Sequence, residues 1–351
     1  MTLDAARRTT AEFLARFPHD AHVVVFCHFD ADGLAAGALF GRGLAQLGYT
    51  NVLIVPSGRG ESAFSDEART RLAAMRPDAL IVTDLGVHRA GVLTDVPTLY
   101  VDHHRPEGAP TGDVAIVSGY GWEPTPSSAE LAYELLAPLT EMGELAWIAA
   151  VGITSDYGDK APWPALPAAR KRWTAKWLRE AVSLVNAARR ATAFDVATAL
   201  DMLMTVDGPR AVSEDESRGA AKLRAYRAEV KAAMDEARKR APIFSKTHPL
   251  ALIVVRSACQ VHPLIAQQWS GRLPKYAAMS ANLGYLPDEI AFSVRTSRKD
   301  LNLPVMLRSV DVGVANASFG QGHDQASGGH LPRAQFETLL TGLGFDPGVL
   351  D

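Results

Sequence analysis

The feature that most constrains the fold is an apolar run that ends abruptly in an acid and two adjacent histidines. Residues 96–101 are mainly apolar, Asp102–His104 follow directly, and Pro106 and Gly108 prevent regular structure from continuing. The run predicts a buried strand with the three polar side chains at its tip. A carboxylate and two imidazoles can ligate a metal ion. Alone, such a triplet is more often a polar loop with surface histidines, so the rest of the chain decides its meaning.

Two other apolar runs end in acids in the same way. Val23–Cys27 leads into Asp30 and Asp32, and Ala79–Thr83 leads into Asp84. The segments between the predicted strands have helical spacing, so we expect an α/β fold with a doubly wound, mostly parallel sheet. Ligands bind beyond the carboxyl ends of the strands in such sheets. These acids are therefore expected to meet in one crevice.

A fourth acidic position follows two predicted helices, Ser127–Ala137 and Glu141–Val151. The second helix is expected to end at Gly152, which places Asp156 in the segment after it. Ser127 and its neighbour Ser128 are first of all an N-cap signal and only second a phosphate contact.

More acids and histidines can converge here than could neutralise one another's charge. Carboxylates this close together cannot all remain ionised without a cation. Oxygen and nitrogen donors without thiolates favour Mn²⁺, or Mg²⁺, over zinc or calcium. The number of acids indicates two ions, about 3.5–4 Å apart, with Asp84 as the bridging carboxylate. The candidates are Asp30, Asp32, Asp84 and Asp156, with one or more of His28, His103 and His104.

The second half of the chain predicts a helical region and then a smaller α/β domain. Residues 170–240 are helical in pattern, and the charged stretch Ser213–Arg240 is interpreted as a solvated connector. Strands and helices resume near Thr247, and Ser318–His330 is expected to form a glycine-rich loop that can approach a ligand closely. The predicted domains are residues 1–168, 169–245 and 246–351.

Composition narrows the class of protein. The 351 residues are 47% hydrophobic and carry a net charge of −3, which gives no global attraction to long nucleic acid. Cys27 and Cys259 form no metal-binding or disulfide pattern. No signal peptide or membrane-spanning stretch is evident, so a cytoplasmic protein with no membrane partner is expected. The sequence gives no indication of oligomeric state.

The motifs together resemble those of the DHH phosphoesterase superfamily. HFDADG, TDLG, VDHH and the Asp of GITSD resemble its four signature motifs in the family's order, and SFGQGHDQASGG is similar to the GGGHxxAxG stretch of the accompanying DHHA1 domain. Phe26 stands where some branches carry a histidine, and His28 lies two residues before Asp30 instead. This arrangement resembles the RecJ-like branch. The resemblance covers most of the chain, and the charged connector matches least.

The resemblance implies roles for the candidate residues. Asp30 and a histidine, here His28, would hold one ion with Asp84, whereas the second ion would share Asp84. His104 would face the substrate or leaving group, and Asp102 would orient the histidines. The ligands implied for the second ion are Asp32, Asp84, His103 and Asp156.

Substrate binding is implied for residues of the C-terminal part. His323 and the surrounding backbone amides of Gly320, Gly322 and Gly328 would grip a phosphate or nucleotide end. Arg295 matches a family position that binds substrate phosphate, a role that suits its planar guanidinium.

We therefore expect a two-metal, Mn²⁺-dependent phosphodiesterase that releases mononucleotides from an end of short single-stranded RNA or DNA. A RecJ-like single-stranded DNA exonuclease acting in repair is one alternative. A phosphatase or diesterase for small or cyclic nucleotides is another, and a DHH module that serves only as a scaffold is a third. Tyr157 and Phe319, which adjoin motif residues, could stack on bases, although packing is the more common role of such aromatic residues.

Overall fold

The computed structural model describes residues 1–313 and 319–350. Their contacts divide the chain into two compact units. The N-terminal unit consists of Met1–Arg189 and Phe194–Ala225, and the C-terminal unit consists of Arg190–Ala193 and the residues from Tyr226 onward. Each unit has its own sheet and its own buried apolar cluster.

The N-terminal unit is built on a parallel sheet of five strands with the order β2-β1-β3-β4-β5. The strands are β1 Val23–Cys27, β2 Val52–Pro56, β3 Ala79–Thr83, β4 Thr98–Asp102 and β5 Val114–Ser118. The first helices are α1 Leu3–Leu14, α2 Ala31–Gln46, α3 Asp66–Ala74, α4 Ser128–Leu136 and α5 Ala146–Tyr157. The later helices are α6 Leu166–Trp173, α7 Ala175–Arg190, α8 Val196–Thr205, α9 Pro209–Glu214 and α10 Arg218–Ala237.

Both faces of this sheet are covered, which explains why its central strands are mainly apolar. Every residue of β1, β3 and β4 is buried. Val24 and Phe26 of β1 pack in one cluster with Leu72 of α3. On the other face, a Cβ at Gly37 of α2 would lie 2.8 Å from Cys27 Sγ, so that glycine lets the helix approach the strand closely. Strands buried on both sides read as continuous apolar runs rather than alternating ones.

The strand order places a topological switch point at the carboxyl ends of β1 and β3. The chain passes from β1 outward to β2 and then returns to the other side of β1 to form β3. The loops after β1 and β3 consequently diverge and leave a crevice, where ligands of open α/β sheets bind. The predicted doubly wound fold is confirmed, and the acidic motifs follow the two strands at this point.

The C-terminal unit contains a mixed sheet of six strands with the order β10-β11-β9-β8-β7-β6. Only β7 and β8 pair in parallel. The strands are β6 Ile243–Phe244, β7 Leu250–Val255, β8 Ala277–Asn282, β9 Glu289–Arg295, β10 Phe319–His323 and β11 Ala326–Pro332, and the helices are α11 His262–Arg272, α12 Leu303–Arg308 and α13 Arg333–Gly342. A cluster around Phe292 and Phe336 forms its core.

Three expectations for local structure were wrong. Strand β5 was not predicted, because its sequence is short and four of its five residues are only partly buried. The helix expected to end at Gly152 continues to Tyr157, so Asp156 lies in the last turn of α5. The glycine-rich segment is a β-hairpin of β10 and β11 rather than a loop, and its Ser318 lies outside the described residues.

No helix in the described parts of the chain has both the length and the apolar character needed to cross a membrane.

Candidate metal centre

The first acids of the centre are held by the N-terminus of α2. Asp30 is the N-cap of this helix, and its Oδ1 accepts hydrogen bonds from the backbone N–H groups of Asp32 and Gly33. A Cβ at Gly33 would lie 2.5 Å from the carbonyl oxygen of His28, so the turn requires glycine there. The tight turn brings His28 Nδ1 to 3.2 Å from Asp30 Oδ1.

Asp84 follows β3 and occupies a strained backbone conformation. Its φ of 63° lies in the left-handed region, which residues other than glycine rarely adopt outside functional or turn positions. Its side chain is only 3% exposed, and Oδ1 accepts a hydrogen bond of 2.9 Å from Ser128 Oγ. The other oxygen, Oδ2, lies 3.5 Å from His28 Nδ1. The strain therefore places one carboxylate centrally among the candidate ligands.

The two histidines at the tip of β4 make different contacts. Asp102 Oδ1 accepts a 2.6 Å hydrogen bond from the backbone N–H of His104 and lies 3.1 Å from His104 Nδ1. Asp102 Oδ2 accepts a hydrogen bond from Gly86 N–H. These contacts fix His104, whose side chain is 47% exposed. His103 turns away from Asp102, and its Nδ1 lies 3.1 Å from the hydroxyl of Tyr157.

His103 directs its other ring nitrogen into the carboxylates. Nε2 lies 3.3 Å from Asp84 Oδ1, 3.6 Å from Asp156 Oδ2 and 4.0 Å from Asp32 Oδ2. This atom is buried, yet it makes no well-formed hydrogen bond to any described residue. A buried, unpartnered nitrogen facing three carboxylates matches what a metal ligand would present.

Helix α5 delivers the last acid. Asp156 lies one turn after Gly152, where a Cβ would come within 2.4 Å of Ala129 Cβ and 2.6 Å of Asp32 Oδ1. Because glycine occupies that position, α5 can lie directly against α4 and the start of α2. Asp156 thereby reaches His103 and the acids of α2 from a distant part of the chain.

The described donors form three groups that share members. Within each group, the ligand atoms all lie within 4.8 Å of one another. Their members are His28, Asp30 and Asp84 in the first, Asp32, His103 and Asp156 in the second, and Asp84, His103 and His104 in the third. All donors are carboxylate oxygens or imidazole nitrogens, the set that suits manganese and magnesium. The residues present therefore fit divalent metal ions.

Asp32 is held by a feature that the sequence analysis missed. Its Oδ2 accepts a 2.8 Å hydrogen bond from Ser128 N–H, and its Oδ1 accepts a 3.0 Å bond from Ala129 N–H. These are the first two backbone donors of α4, and Ser127 caps the same helix through Glu130 N–H. The predicted N-cap is confirmed, and the neighbouring free amides bind a carboxylate of the protein itself.

Crowding and burial raise the pKa values of two acids and two histidines in the centre, so that these groups tend to keep their protons. Burial, followed by the charge of Asp84, raises the pKa of Asp32 to about 7, and burial together with Asp32 raises the pKa of Asp156 to about 9. Burial lowers the pKa of His28 and of His103, but the neighbouring carboxylates outweigh it and raise both to about 10. A divalent ion at this centre would therefore replace protons.

Two arginines flank the centre, and the sequence analysis had not singled out either. Arg189 Cζ lies 5.9 Å from the ring centroid of Phe29, whose ring packs edge-on against Phe194, and Arg59 Cζ lies 5.2 Å from the Phe194 ring. Phe29 also packs against the His28 ring. Because both arginines come from segments without an acidic motif, only the folded arrangement reveals them. Of the two, Arg189 places positive charge near Asp30.

In the C-terminal unit, the sheet register aligns Arg295 of β9, Ala326 of β11 and His323 of β10 in one row. Arg295 Nε is buried and has no hydrogen-bond partner in the described residues, and burial lowers the pKa of the guanidinium. Phe319 is 8% exposed and belongs to the apolar core, so packing is its role.

The glycines of the hairpin have structural reasons of their own. Gly320 and Gly322 have φ values of 70° and 113°, and a Cβ at Gly322 would lie 2.4 Å from the carbonyl oxygen of Ala326. A Cβ at Gly328 would lie 2.5 Å from the carbonyl oxygen of Phe292 in the next strand. The folding of the hairpin thus requires glycine whether or not a ligand binds.

The chain is similar to known proteins in sequence and in fold. Residues 22–153 match the sequence model of the DHH family, N-terminal domain, which includes every acid described above except Asp156. No protein in a search of curated sequences matches significantly.

Solved structures match over nearly the whole chain. RecJ in complex with Mn²⁺ from Thermus thermophilus superposes with a TM-score of 0.72 at 19% identity, covering 98% of this chain and 55% of that chain. Exonuclease RecJ bound to manganese gives 0.68 at 20% identity, covering 99% and 96%. The DHH domain of a protein described as a member of a family of ribosomal proteins gives 0.67 at 12% identity, covering 97% and 89%. At these identities the likeness establishes a common fold, and the chain spans about half the length of the Thermus protein.

Proposed function

We propose that this chain, in which residues 22–153 form an N-terminal domain of the DHH family, is a metal-dependent phosphoesterase that hydrolyses short single-stranded oligonucleotides from an end. The observation that carries the proposal is the pair of donor groups, His28–Asp30–Asp84 and Asp32–His103–Asp156, gathered at the carboxyl edge of one sheet. Asp84 lies against both groups, as a bridging ligand must.

The proposed ligands divide between two ions, with manganese as the first choice and magnesium as the alternative. The RecJ structures that this chain resembles contain manganese or magnesium. When bound, such a pair orients a phosphate ester, lowers the pKa of a coordinated water and stabilises the leaving oxygen. His28, Asp30 and Asp84 would hold the first ion, and Asp32, Asp84, His103 and Asp156 would hold the second.

Backbone amides and a histidine of the protein would assist this chemistry. Ser128 and Ala129 donate backbone hydrogen bonds to Asp32, which favour its ionised form against burial and against the charge of Asp84. Burial lowers the pKa of His104, but its hydrogen bond to Asp102 outweighs this, and the pKa is raised. His104 can therefore hold a proton on Nε2 and donate it to the leaving oxygen.

The C-terminal unit supplies the proposed phosphate contacts. Arg295 carries a buried guanidinium nitrogen without a partner among the described residues, which a phosphate oxygen would satisfy. His323 lies in the same strand row, and Gly320, Gly322 and Gly328 belong to the adjoining hairpin. We propose that this unit, which the sequence likens to a DHHA1 domain, binds the terminal phosphate or nucleotide.

The test is one hydrolysis panel with Mn²⁺. It contains 5′-labelled RNA and DNA oligomers from two to about twenty-four nucleotides, a range that brackets the site sizes of single-strand grooves. Cyclic dinucleotides and 3′-phosphoadenosine phosphate complete it, and Asp84→Asn is the inactive control. Preference for the shortest oligomers supports the proposal, whereas cleavage of the small nucleotides alone refutes it.

A RecJ-like exonuclease on longer single-stranded DNA is the second candidate, favoured by the superposition on exonuclease RecJ over 96% of that chain. Equal rates on the longest and shortest DNA oligomers would favour it. If the wild-type protein binds two ions but cleaves no substrate in the panel, a role as a non-catalytic scaffold is favoured.

A further inference from the structure

Tyr157 contacts one ring nitrogen of His103, and the other ring nitrogen faces the carboxylates. This inference deepens the proposed function and rests on it. His103 can ligate through Nε2 only if that nitrogen carries no proton, so the ring proton must be on Nδ1. The hydroxyl of Tyr157 lies 3.1 Å from Nδ1. We propose that Tyr157 is a positioning residue that fixes the tautomer and orientation of His103 for metal binding.

The hydrogen bonds around Tyr157 are consistent with this proton arrangement. Its hydroxyl donates to the carbonyl oxygen of Pro126 at 3.3 Å. With that proton committed, the phenol oxygen has lone pairs free to accept the Nδ1–H of His103. Each donor then has one acceptor, and Nε2 keeps its lone pair for the carboxylate-lined space on its other side.

No carboxylate performs this task for His103 in the described residues. Asp102, the acid of the same motif, is fully engaged by His104 and by Gly86 N–H. A partner behind a ligating histidine is usual, and it sets both the tautomer and the basicity of the ring. A neutral phenol leaves His103 a weaker base than a carboxylate would.

Tyr157 is also anchored well enough to act in this way. It is the last residue of α5, immediately after the proposed ligand Asp156, and its ring meets the His103 ring edge-on at 83° with centroids 6.2 Å apart. Pro126 lies two residues before Ser128, whose backbone amide holds Asp32 together with that of Ala129. One loop segment therefore supports Asp32 directly and His103 through Tyr157.

The test compares Tyr157→Phe with wild type in the full-length protein. Removal of one oxygen should weaken binding of the second Mn²⁺ about tenfold, as loss of such partners typically does, without changing the fold. Isothermal titration gives the affinity, and Tyr120→Phe, at an exposed tyrosine, is the matched control. In the Mg²⁺-loaded proteins, where ligation through Nε2 keeps the ring proton on Nδ1, ¹⁵N spectra should show this proton exchanging with water faster in Tyr157→Phe than in wild type, because its acceptor is gone.

The outcomes separate this inference from the proposed function. If wild type binds no divalent ion, the proposed function and the inference both fail. If wild type binds two ions and Tyr157→Phe matches it in Mn²⁺ affinity and in the exchange rate of the His103 Nδ1 proton, the inference alone fails.

Discussion

At the scale of single residues, the centre depends most on Asp84. Its carboxylate contacts both donor groups and accepts a hydrogen bond from Ser128, while its backbone keeps an unfavourable φ of 63°. Such strain persists only where the surrounding structure enforces it, and it is concentrated at functional sites. Asp84 therefore costs folding free energy through its backbone conformation, and its carboxylate is available to both donor groups.

Asp84→Asn is the sharpest test of the bridging role. Asparagine tolerates the left-handed conformation and can still accept from Ser128, so the fold should survive. Without the charge, binding of both ions should weaken, and turnover should fall at least about a hundredfold, since metals contribute several kcal/mol. The exposed Asp95→Asn is the control, and near-normal turnover in Asp84→Asn would exclude a shared ligand.

The protons held by the metal-free centre give a second prediction at this scale. At pH 7.5, His28, His103 and Asp156, with pKa values of about 10, 10 and 9, are protonated and must each lose a proton when ions bind. Binding should therefore release up to three protons, and apparent affinity should rise with pH up to about 10.

Calorimetric titration of Mn²⁺ in two buffers of different ionisation enthalpy measures that release. Asp159→Asn is a suitable control, because Asp159 lies in a surface ion pair with Arg170 and its pKa is lowered. This variant should release as many protons as wild type. Binding without proton release, or affinity that is flat between pH 6 and 9, would contradict the predicted charge state.

At the scale of elements, the close packing of α5 against α2 and α4 depends on Gly152. Gly152→Ala would place a methyl group within 2.6 Å of Asp32 Oδ1 and 2.4 Å of Ala129 Cβ. Overpacking costs about 1–3 kcal/mol, which exceeds the helix propensity gained of about 1 kcal/mol. We expect the free energy of unfolding to fall by up to about 2 kcal/mol and Mn²⁺ affinity to fall with it.

Urea unfolding in EDTA measures the loss of stability separately from metal binding. Gly143→Ala is the matched control, since a Cβ there meets nothing within 4 Å. If Gly152→Ala is as stable as the control and binds Mn²⁺ normally, the close approach of the three helices does not position Asp32.

The strands and their acidic tips could be predicted from sequence because both signals are local. The apolar run before Asp84, for example, extends over five consecutive residues and ends at the motif. The amides of Ser128 and Ala129 could not be predicted, since they reach Asp32 across 96 and 97 residues of chain. Asp156 was identified by its motif but assigned to the wrong element, because glycine at 152 suggested a helix end rather than a close helix contact.

At the scale of the whole molecule, the proposed metal ligands all belong to the N-terminal unit, whereas Arg295 and His323 belong to the C-terminal unit. The sequence motifs anticipated this division, because the four acidic motifs precede the charged helices and the glycine-rich motif follows them. How the two units cooperate on a substrate is a question of long-range arrangement that local patterns do not encode. Metal binding and substrate binding should consequently respond to different substitutions.

His323→Ala tests that separation. If the hairpin binds the substrate's terminal phosphate, the variant should bind two Mn²⁺ ions with wild-type affinity, and kcat/KM on a dinucleotide should fall about 10–100-fold. A charge-assisted hydrogen bond of about 1.5–3 kcal/mol accounts for that range. The loss should appear mainly in KM, because the groups that act on the reacting phosphorus are untouched. His248→Ala in the same unit serves as the control. A variant that lost an ion would place His323 at the metals, and unchanged kinetics would remove the hairpin from substrate binding.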